Sequence, residues 1–329
     1  MMTFAIPSEL QKQFEELDEE TKSPVQLLFS ESLDDRLVGV VNLQHLCDEQ
    51  TVPFLIASLE DTSQDVVLTA VTSLWEIASQ LAVEPLIACL TSSHSPKVRD
   101  EALLALKELV NQDHLLILLD KLTLEDVFLQ QSVLVLLRKI HDIQALPYIA
   151  PFLESDLENL RLAAVVTLRY LNQLTHFPPA LALAADQSTE VRKEAMLTFA
   201  HLDQPEVLSI LIQSLREDSS WEVRRNAAQA LERKSDPLSA EALASAISDQ
   251  HWQVRKFAMR ALNPLVAEQF VPNIIPLLCD DYSDVRKEAA LALGGVCSDQ
   301  AKTALQQSLS DADIEVRIAS EKSLSRQAA

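Results

Sequence analysis

One nine-residue pattern recurs along the chain at an almost constant interval. Its strongest form is Val-Arg-x-x-Ala-x-x-Ala-Leu, and clear copies begin at Val98, Val191, Val223, Val254, Val285 and Val316. Weaker copies begin at Asp35, Val66, Phe128 and Leu160. The second position of the ten copies falls at 36, 67, 99, 129, 161, 192, 224, 255, 286 and 317, with spacings of 30–32 residues. Ten copies in one register predict an array of repeats rather than one large globular core.

The pattern has the period of an α-helix. Its apolar residues occupy positions 0, 4, 7, 8 and 11, counting the Val as position 0, and these lie on one side of a helix. The alanines allow a neighbouring helix to approach closely. Gly accounts for only 3 of 329 residues, which disfavours a turn-rich β fold. Each copy therefore predicts one amphipathic helix.

The turn before each such helix also carries a pattern. A short polar residue stands six positions before each second motif position, and we expect it to accept hydrogen bonds from the following helix N-terminus. These residues are Ser30, Asp61, Ser93, Thr123, Ser155, Asp186, Asp218, Asp249, Asp280 and Asp311. Eight of the ten second motif positions are Arg, and we expect these side chains to tie one turn to the next repeat.

A shorter apolar segment precedes each turn, and it often opens with Pro, which suits the first turn of a helix. Pro151 and Pro276 lie further inside their segments and should kink or shorten those helices. Each repeat is therefore predicted as a short first helix, a polar turn and a longer second helix.

These units resemble HEAT repeats, specifically the short and regular kind found in phycobilin lyases and related cyanobacterial proteins. The resemblance covers residues 24–326. It implies an all-α solenoid of about ten two-helix repeats of ~31 residues each. It implies little about function, because this repeat type occurs in lyases, adaptors and chaperones alike.

Differences along the chain predict three parts. Residues 1–23 are expected to form an N-terminal capping segment, with an acidic helix over residues 7–20. Residues 24–172 form repeats 1–5 and residues 173–329 form repeats 6–10, which are more regular. Residues 1–180 hold 11 Lys and Arg against 27 Asp and Glu, so most of the net negative charge lies in these residues.

The formal net charge of −22 argues against nucleic-acid binding, because phosphate backbones would be repelled. No apolar run reaches the 18 residues expected of a spanning helix, and the first residues lack a signal-peptide layout, so we expect a cytoplasmic protein without membrane insertion. The four cysteines form no Cys-x-x-Cys pair and are predicted to be reduced, small buried hydrophobes.

Motif positions 2, 6 and 9 point away from the buried side of each second helix and are predicted to form the binding surface. In repeats 6–9 these positions carry cations, and aromatic residues lie nearby, just before the motif Val. Together they suggest a patch for an acidic or mixed protein surface or for a ligand with carboxylates. Its residues are Lys193, Trp221, Arg225, His251, Trp252, Lys256, Arg260, Tyr282 and Lys287. In repeats 1–5 the same positions are largely apolar, with Leu37, Val41, Leu68, Trp75, Leu104, Leu134, Leu137, Leu162 and Val166.

Structural roles remain open for the same residues. The cations can be ordinary solvated side chains, the apolar residues can pack against neighbouring helices, and the tryptophans can cover the turns between repeats.

No catalytic residue, cofactor site or metal site is predicted. The seven histidines are dispersed without a His-x-x-x-His pair, and no glycine-rich phosphate loop is present. The first hypothesis is therefore a non-enzymatic scaffold that binds another protein. The resemblance suggests an A-type (IscA-like) iron–sulfur carrier as partner. The alternative is a phycobilin lyase, or a lyase-like chaperone of a phycobiliprotein, so enzymatic activity and oligomeric state stay open.

Overall fold

A computed structural model describes residues 6–91 and 94–327. This part of the chain contains α-helices and 3-10 helices and no strand, which confirms the all-α class. The described residues divide into two compact units, residues 6–149 with 170–172 and residues 150–169 with 173–327. The limits that we predicted for the capping segment and for the two groups of repeats stay predictions.

In the first unit, short first helices alternate with longer second helices. The α-helices are α1 (Gln11–Glu16), α2 (Glu19–Leu27), α3 (Leu33–Leu46), α4 (Val52–Ala57), α5 (Gln64–Ile77), α6 (Val83–Ala88), α7 (Pro96–Leu109), α8 (Leu115–Lys121), α9 (Val127–Ile140) and α10 (Leu146–Ile149). Short 3-10 helices span Glu49–Thr51, Ser58–Glu60, Gln80–Ala82, Gln112–His114 and Ile143–Ala145. The second helices α3, α5 and α7 pack side by side.

The second unit continues the alternation. Its α-helices are α11 (Glu158–Leu168), α12 (Thr189–Phe199), α13 (Pro205–Glu217), α14 (Trp221–Lys234), α15 (Ala240–Ala246), α16 (Trp252–Leu262), α17 (Val271–Ile274), α18 (Ser283–Leu293), α19 (Asp299–Ser308) and α20 (Ile314–Gln327). Its 3-10 helices span Ala150–Glu154, Pro178–Ala185, Pro237–Ser239, Asn263–Leu265, Glu268–Phe270 and Ile275–Cys279. Across the described residues, the motif copies coincide with ten second helices, which confirms the predicted number of repeats.

The acidic N-terminal segment differs from its prediction. Instead of one helix over residues 7–20, the chain forms α1 and then starts α2 at Glu19. Asp18 has an extended backbone, and its side chain accepts a hydrogen bond of 2.7 Å from the Thr21 amide. This N-cap starts a new helix, and α2 becomes the first helix of repeat 1.

The two internal prolines shorten their helices as predicted. Helices α10 and α17 last four residues each and are followed by 3-10 segments that contain Pro151 and Pro276. Proline has no N–H to donate to the carbonyl four residues earlier, so the α-helical hydrogen bonding cannot continue through it.

The core lies between first and second helices and is built from the apolar motif positions. Val98, Ala102 and Leu106 on α7 are buried, as are most of their counterparts on the other second helices; Asp35 on α3 and Leu324 on α20 are half-buried. Second helices also approach one another closely at Gly294, where an added Cβ would lie 2.5 Å from Ser323 Oγ. Gly294 therefore permits close packing of the end of α18 against α20, whereas an added Cβ at Gly295 would meet only backbone oxygens of Ala292 and Asn263.

The motif arginines form a ladder of clamps between successive turns, as predicted. In six repeats Nε and Nη2 of the Arg contact both carboxylate oxygens of an Asp in the next turn, at 2.7–3.1 Å. The pairs are Arg36–Asp61, Arg161–Asp186, Arg192–Asp218, Arg224–Asp249, Arg255–Asp280 and Arg286–Asp311. Nη1 of each Arg donates to two carbonyls of its own turn, for example Asp218 O and Ser219 O for Arg224. Such bidentate, charge-assisted contacts fix geometry as well as adding stability.

The polar turn residues act differently from the prediction. They are not the N-caps, which lie two residues later at positions such as Ser188 and Ser220. Instead, Asp186 and Asp218 each accept a hydrogen bond from the amide two residues on. The carboxylate thus shapes the turn and receives the Arg of the preceding repeat. Ser93 lies outside the described residues.

Repeat 4 has a different register from the one predicted. Asp126 caps α9, and Leu129 lies three residues after it, where the other repeats have the motif Val. The motif therefore starts at Leu129 rather than Phe128, and Gln130 takes the Arg position. By the same count Leu124, not Thr123, occupies the turn position, so the polar column is interrupted there. Thr123 instead donates its hydroxyl to Asp120 O at 2.7 Å.

Candidate interaction surfaces

The predicted aromatic residues of repeats 7–9 lie in a row along the N-terminal ends of α14, α16 and α18. We call Trp221, His251, Trp252 and Tyr282 the aromatic row. The ring of Trp221 stacks on that of His251 with centroids 3.7 Å apart. The ring of Trp252 stacks on that of Tyr282 at 4.8 Å. In both pairs the first helical residue of one repeat contacts the N-cap residue of the next. Successive repeats are therefore held together at this edge by aromatic pairs.

His251 has a structural role within this aromatic row. Its Nδ1 accepts a hydrogen bond from the Gln253 amide at 3.3 Å and so caps α16. Burial lowers the pKa of His251, and the guanidinium groups of Arg224, Arg255 and Arg225 lower it further against the opposing effect of Asp249. The neutral imidazole is the form that can accept this capping hydrogen bond.

The predicted cations are engaged within the chain. Lys256 Nζ lies 2.8 Å from Asp284 Oδ2, and Lys287 Nζ lies 3.0 Å from Glu315 Oε2. Arg260 pairs with Glu232 at 2.9 Å, and Lys193 pairs with Glu190 three residues earlier on α12.

Arg225, the fifth predicted cation, contacts neutral groups instead of a carboxylate. Its Nε and Nη2 donate to Asn226 Oδ1, and its guanidinium carbon lies 5.4 Å from the centre of the Trp221 ring. Lys256 Nζ similarly lies 5.9 Å from the centre of the Trp252 ring. The cations thus contact side chains of the fold itself, and no row of uncompensated positive charge results.

The predicted apolar residues of repeats 1–3 remain accessible. Trp75 on α5 is 38% exposed and Leu104 on α7 is 47% exposed, while Val41 on α3 is exposed as well. Leu37 and Leu68 are half-buried on the same helices. These five residues lie on the surface of three adjacent second helices, and we call them the apolar face.

Two residues of the predicted apolar set do not belong to an exposed surface. Leu134 and Leu137 on α9 are buried, with exposed fractions of 0% and 1%. The reason is the one-residue shift of repeat 4, which moves Leu137 to motif position 8 and turns both side chains towards the core. Leu162 and Val166 on α11 are half-buried.

Exposed acids border the apolar face on both sides, and the sequence prediction did not include them. Asp34, Asp65 and Asp100 lie towards the N-terminal ends of α3, α5 and α7. Glu76 and Glu108 lie in the last turns of α5 and α7. Asp34 and Asp65 each directly precede the motif start, and Glu76 and Glu108 share one motif position, which was a sequence signal for these four. Asp100 has no such counterpart, and Lys97 precedes the motif start on α7.

The second unit also contains a concavity of about 510 Å³ at the C-terminal ends of α11, α12 and α14. Arg169, His201, Glu232 and Arg233 line it, and small Ala200 leaves the space between them. Burial lowers the pKa of His201, as do Arg233, Arg169 and Lys234. The lining contains no Ser, Thr or Cys, so no hydroxyl or thiol nucleophile lies beside the imidazole there.

The cysteines differ from the prediction. Cys47, Cys279 and Cys297 are exposed, and only Cys89 is buried. Burial raises the pKa of the Cys89 thiol to about 11, which keeps it protonated and unreactive at neutral pH. Cys47 is exposed because it ends α3 in the left-handed conformation, at φ 50°.

Residues 6–91 and 94–327 contain no group of three or more His, Cys, Asp or Glu side chains placed to hold a metal ion. Over the same residues, none of the helices combines the length and apolar character that a membrane crossing requires.

A family model described as HEAT repeats matches residues 23–107, 146–232, 177–263 and 240–325. No curated protein sequence matches the chain.

Among solved structures, an engineered protein shares 19% identity over 95% of this chain and 100% of its own, with a TM-score of 0.55. Yeast importin-β (Kap95p) shares 12% identity over 98% of this chain and 54% of its own, with a TM-score of 0.61. Kap95 in its complex with Nup1 shares 13% identity over 97% of this chain and 53% of its own, with a TM-score of 0.62. The chain thus spans about half the length of Kap95p, and at these identities the likeness concerns the fold.

Proposed function

Because the chain belongs to the HEAT-repeat family, we propose that it is a non-enzymatic scaffold that binds another protein through the apolar face of α3, α5 and α7. The observation that carries this proposal is the exposure of Val41, Trp75 and Leu104 on three adjacent helices. Large exposed apolar side chains grouped on neighbouring helices are typical of interaction sites.

The contrast with repeats 7–9 supports this choice of surface. There the rings stack on one another and the cations have partners in neighbouring repeats, so much of their binding capacity is used within the fold. Trp75 forms no aromatic pair in the described part of the chain, and tryptophan is among the residues enriched at the energetic centres of interfaces.

The printed partners of the structural neighbours are proteins, since Kap95p is described with RanGDP and with Nup1. These partners belong to Kap95p. They support the general use of stacked helical hairpins as protein-binding surfaces, which is the extent of the analogy.

Site-specific photocrosslinking tests the proposal. A benzoylphenylalanine at position 75 should form a discrete adduct with a protein in a lysate of the native host. The matched control carries the same residue at position 116, since Leu116 on α8 is an accessible apolar residue outside the apolar face, with 76% exposure. The same adducts from both positions, or none from position 75, would contradict the proposal.

The A-type iron–sulfur carrier that the sequence resemblance suggests remains a proposed partner. Unpaired cysteines are consistent with a reducing compartment, which supports the proposed cytoplasmic location. Mixing the purified chain with apo- and cluster-loaded carrier and measuring complex formation by sedimentation tests this partner directly. Absence of a complex with both forms would remove it.

A second candidate function is that of a bilin lyase or phycobiliprotein chaperone, and the stack of Trp252 on Tyr282 with Lys256 nearby favours it. Flat rings beside cations can hold a tetrapyrrole and its propionates. On this proposal, added bilin shifts the visible spectrum, and the combined variant Arg225→Glu with Trp252→Ala abolishes the shift. An unchanged spectrum with the unmodified chain would exclude this function.

A further inference from the structure

The apolar face is part of a larger arrangement with a fixed order of chemistry across the helices. Its centre is apolar, with Val41, Trp75 and Leu104 exposed. Exposed carboxylates border it towards both helix ends, and we call these the N-terminal rim (Asp34, Asp65 and Asp100) and the C-terminal rim (Glu76 and Glu108). A partner must therefore match an apolar strip that runs between two acidic margins.

The rim carboxylates are not neutralised within the fold. Among the described residues none of the five forms an ion pair, whereas most motif arginines hold an Asp of the next turn. Glu76 accepts only a hydrogen bond of 2.7 Å from the neutral amide of Gln44. Lys97 and Lys107 are the exposed cations on α7, so acids outnumber bases around the face.

The helix ends that carry the C-terminal rim differ in the charge around each carboxylate. Glu76 lies in the last turn of α5, where the exposed carbonyl groups make the surroundings negative. At the end of α7 the ammonium group of Lys139 donates to Lys107 O and Glu108 O, so a cation of the fold lies beside Glu108. The Glu76 carboxylate at the end of α5 is therefore unfavourable for the isolated fold. A cationic ligand would relieve that repulsion when it binds.

We infer that the apolar face and its rims bind one amphipathic α-helix of a partner protein, with an apolar stripe flanked by Lys or Arg on both sides. This inference rests on the proposed scaffold function and specifies its partner. Adjacent helices pack 8–10 Å apart, so α3, α5 and α7 span roughly 16–20 Å between their outer axes. At about 1.5 Å per residue, roughly 11–14 residues of a bound helix cover this span. The stripe supplies apolar contact, and the cations flanking it meet the rims.

Fluorescence anisotropy with three labelled model peptides of about 18 residues tests the inference on the full chain. The first peptide is an amphipathic Leu/Lys helix, the second replaces each Lys by Glu, and the third has the Leu/Lys composition in a non-amphipathic order. We expect the first to bind at least tenfold more tightly than either of the others. Its affinity should also fall as salt is raised, because charge contributes to binding.

Variants separate this site from general attraction to an acidic protein. Trp75→Ala with Leu104→Ala should weaken binding of the first peptide at least tenfold, while Leu116→Ala on α8 should leave it within twofold. Asp65→Lys with Asp100→Lys should also weaken it at least tenfold. The matched control, Glu241→Lys with Asp299→Lys, makes the same change in net charge at exposed positions of the second unit. Circular dichroism establishes that each variant is folded.

Equal binding of the ordered and the non-amphipathic Leu/Lys peptides would overturn the inference. Equal losses in the rim variant and its charge-matched control would also do so. If position 75 crosslinks to a protein while the amphipathic basic peptide does not bind, the basic-helix inference is wrong and the scaffold function stands. Absence of crosslinking from position 75 alongside binding of the peptide would instead contradict the scaffold function in the host.

Discussion

The interruption of the Arg–Asp ladder at repeat 4 provides a quantitative test of what the ladder contributes. Arg99 corresponds to the arginines that hold an Asp 25 or 26 residues later, and residue 124 is Leu. The Nε of Arg99 is buried without a hydrogen-bond partner, and its guanidinium carbon lies 4.4 Å from the centre of the Phe128 ring. We predict that Leu124→Asp restores the missing clamp and stabilises the first unit.

The local backbone already has the required form. The amide of Leu124 donates to Lys121 O, three residues earlier, as the amides of Asp61 and Asp280 donate to Ser58 O and Leu277 O. An acidic residue two positions later is also compatible with the clamp, because Asp311 precedes Asp313 in repeat 10 and still pairs with Arg286.

The expected gain follows from two opposing contributions. Satisfying a buried, charged donor contributes about 1–3 kcal/mol. Replacing Leu124, which is 45% exposed, gives up about 1 kcal/mol of apolar burial. The net stabilisation is about 1 kcal/mol, which corresponds to a rise in Tm of roughly 2–4 °C for a unit of this size.

Thermal and urea unfolding followed by circular dichroism measure the change, and hydrogen exchange of the α7 and α9 amides locates it. Leu116→Asp is the matched control, since it makes the same substitution at an exposed position of α8. A second control places Leu124→Asp in an Arg99→Met background, where the gain should disappear. At low pH the gain should also be lost. The carboxyl group that Leu124→Asp introduces has a lowered pKa when Arg99 holds it, so its stabilisation is complete above the unfolded pKa of about 3.9 and is lost as pH falls through the folded value.

The reasoning would be refuted if Leu124→Asp were no more stable than Leu116→Asp, or if its gain persisted in the Arg99→Met background. Either result would show that the ladder aspartates shape their turns without gaining stability from the arginines.

Three further predictions concern the second unit. Arg224→Met should cost about 1–3 kcal/mol, because Asp249 then lies partly buried without its partner. Burial raises the Asp249 pKa, but the hydrogen bonds from Arg224 and from the His251 amide lower it overall. The stability lost as pH falls through that pKa should therefore shrink in the variant, as measured by urea unfolding between neutral and acidic pH. His251→Gln should flatten the decline in Tm below about pH 6.5. Because the pKa of His251 is lowered in the fold, its contribution to stability is complete above the unfolded pKa and is lost as pH falls through the folded pKa. An equally steep decline in the variant would contradict the role of the neutral ring. Gly294→Ala should lower the free energy of unfolding in urea by about 1–3 kcal/mol, because the new methyl group meets Ser323 at 2.5 Å. Gly295→Ala, whose nearest contact is at 3.3 Å, should cost less. Equal costs would argue against the packing explanation.

The sequence predicted the fold class, the number of repeats and the Arg contacts between turns, because a helical period and a repeat length are visible along one chain. It misplaced repeat 4, since the apolar letters Phe128 and Leu129 fit the motif equally well in isolation. The N-cap at Asp126 decides between them, and its hydrogen bond to the Leu129 amide exists only in the folded turn.

Candidate surfaces were harder to predict than helices. Trp75 was correctly placed on an accessible face, but Lys256 and Lys287 gave no sign in sequence of their carboxylate partners 28 residues later. Composition likewise suggested buried cysteines, whereas the exposure of Cys47 follows from its left-handed position at a helix end.

Apart from repeat 4 and the cysteines, the sequence by itself determined which motif positions face the interior, because burial of Val, Ala and Leu at helical spacing is a local requirement of each repeat. Only the tertiary structure decided which outward-facing residues remain available. The carboxylate partners of Lys256 and Lys287 lie in the next repeat, 28 residues along the chain, and stacking brings them within hydrogen-bond distance. The apolar face and its acidic rims in repeats 1–3 have no such partners among the described residues.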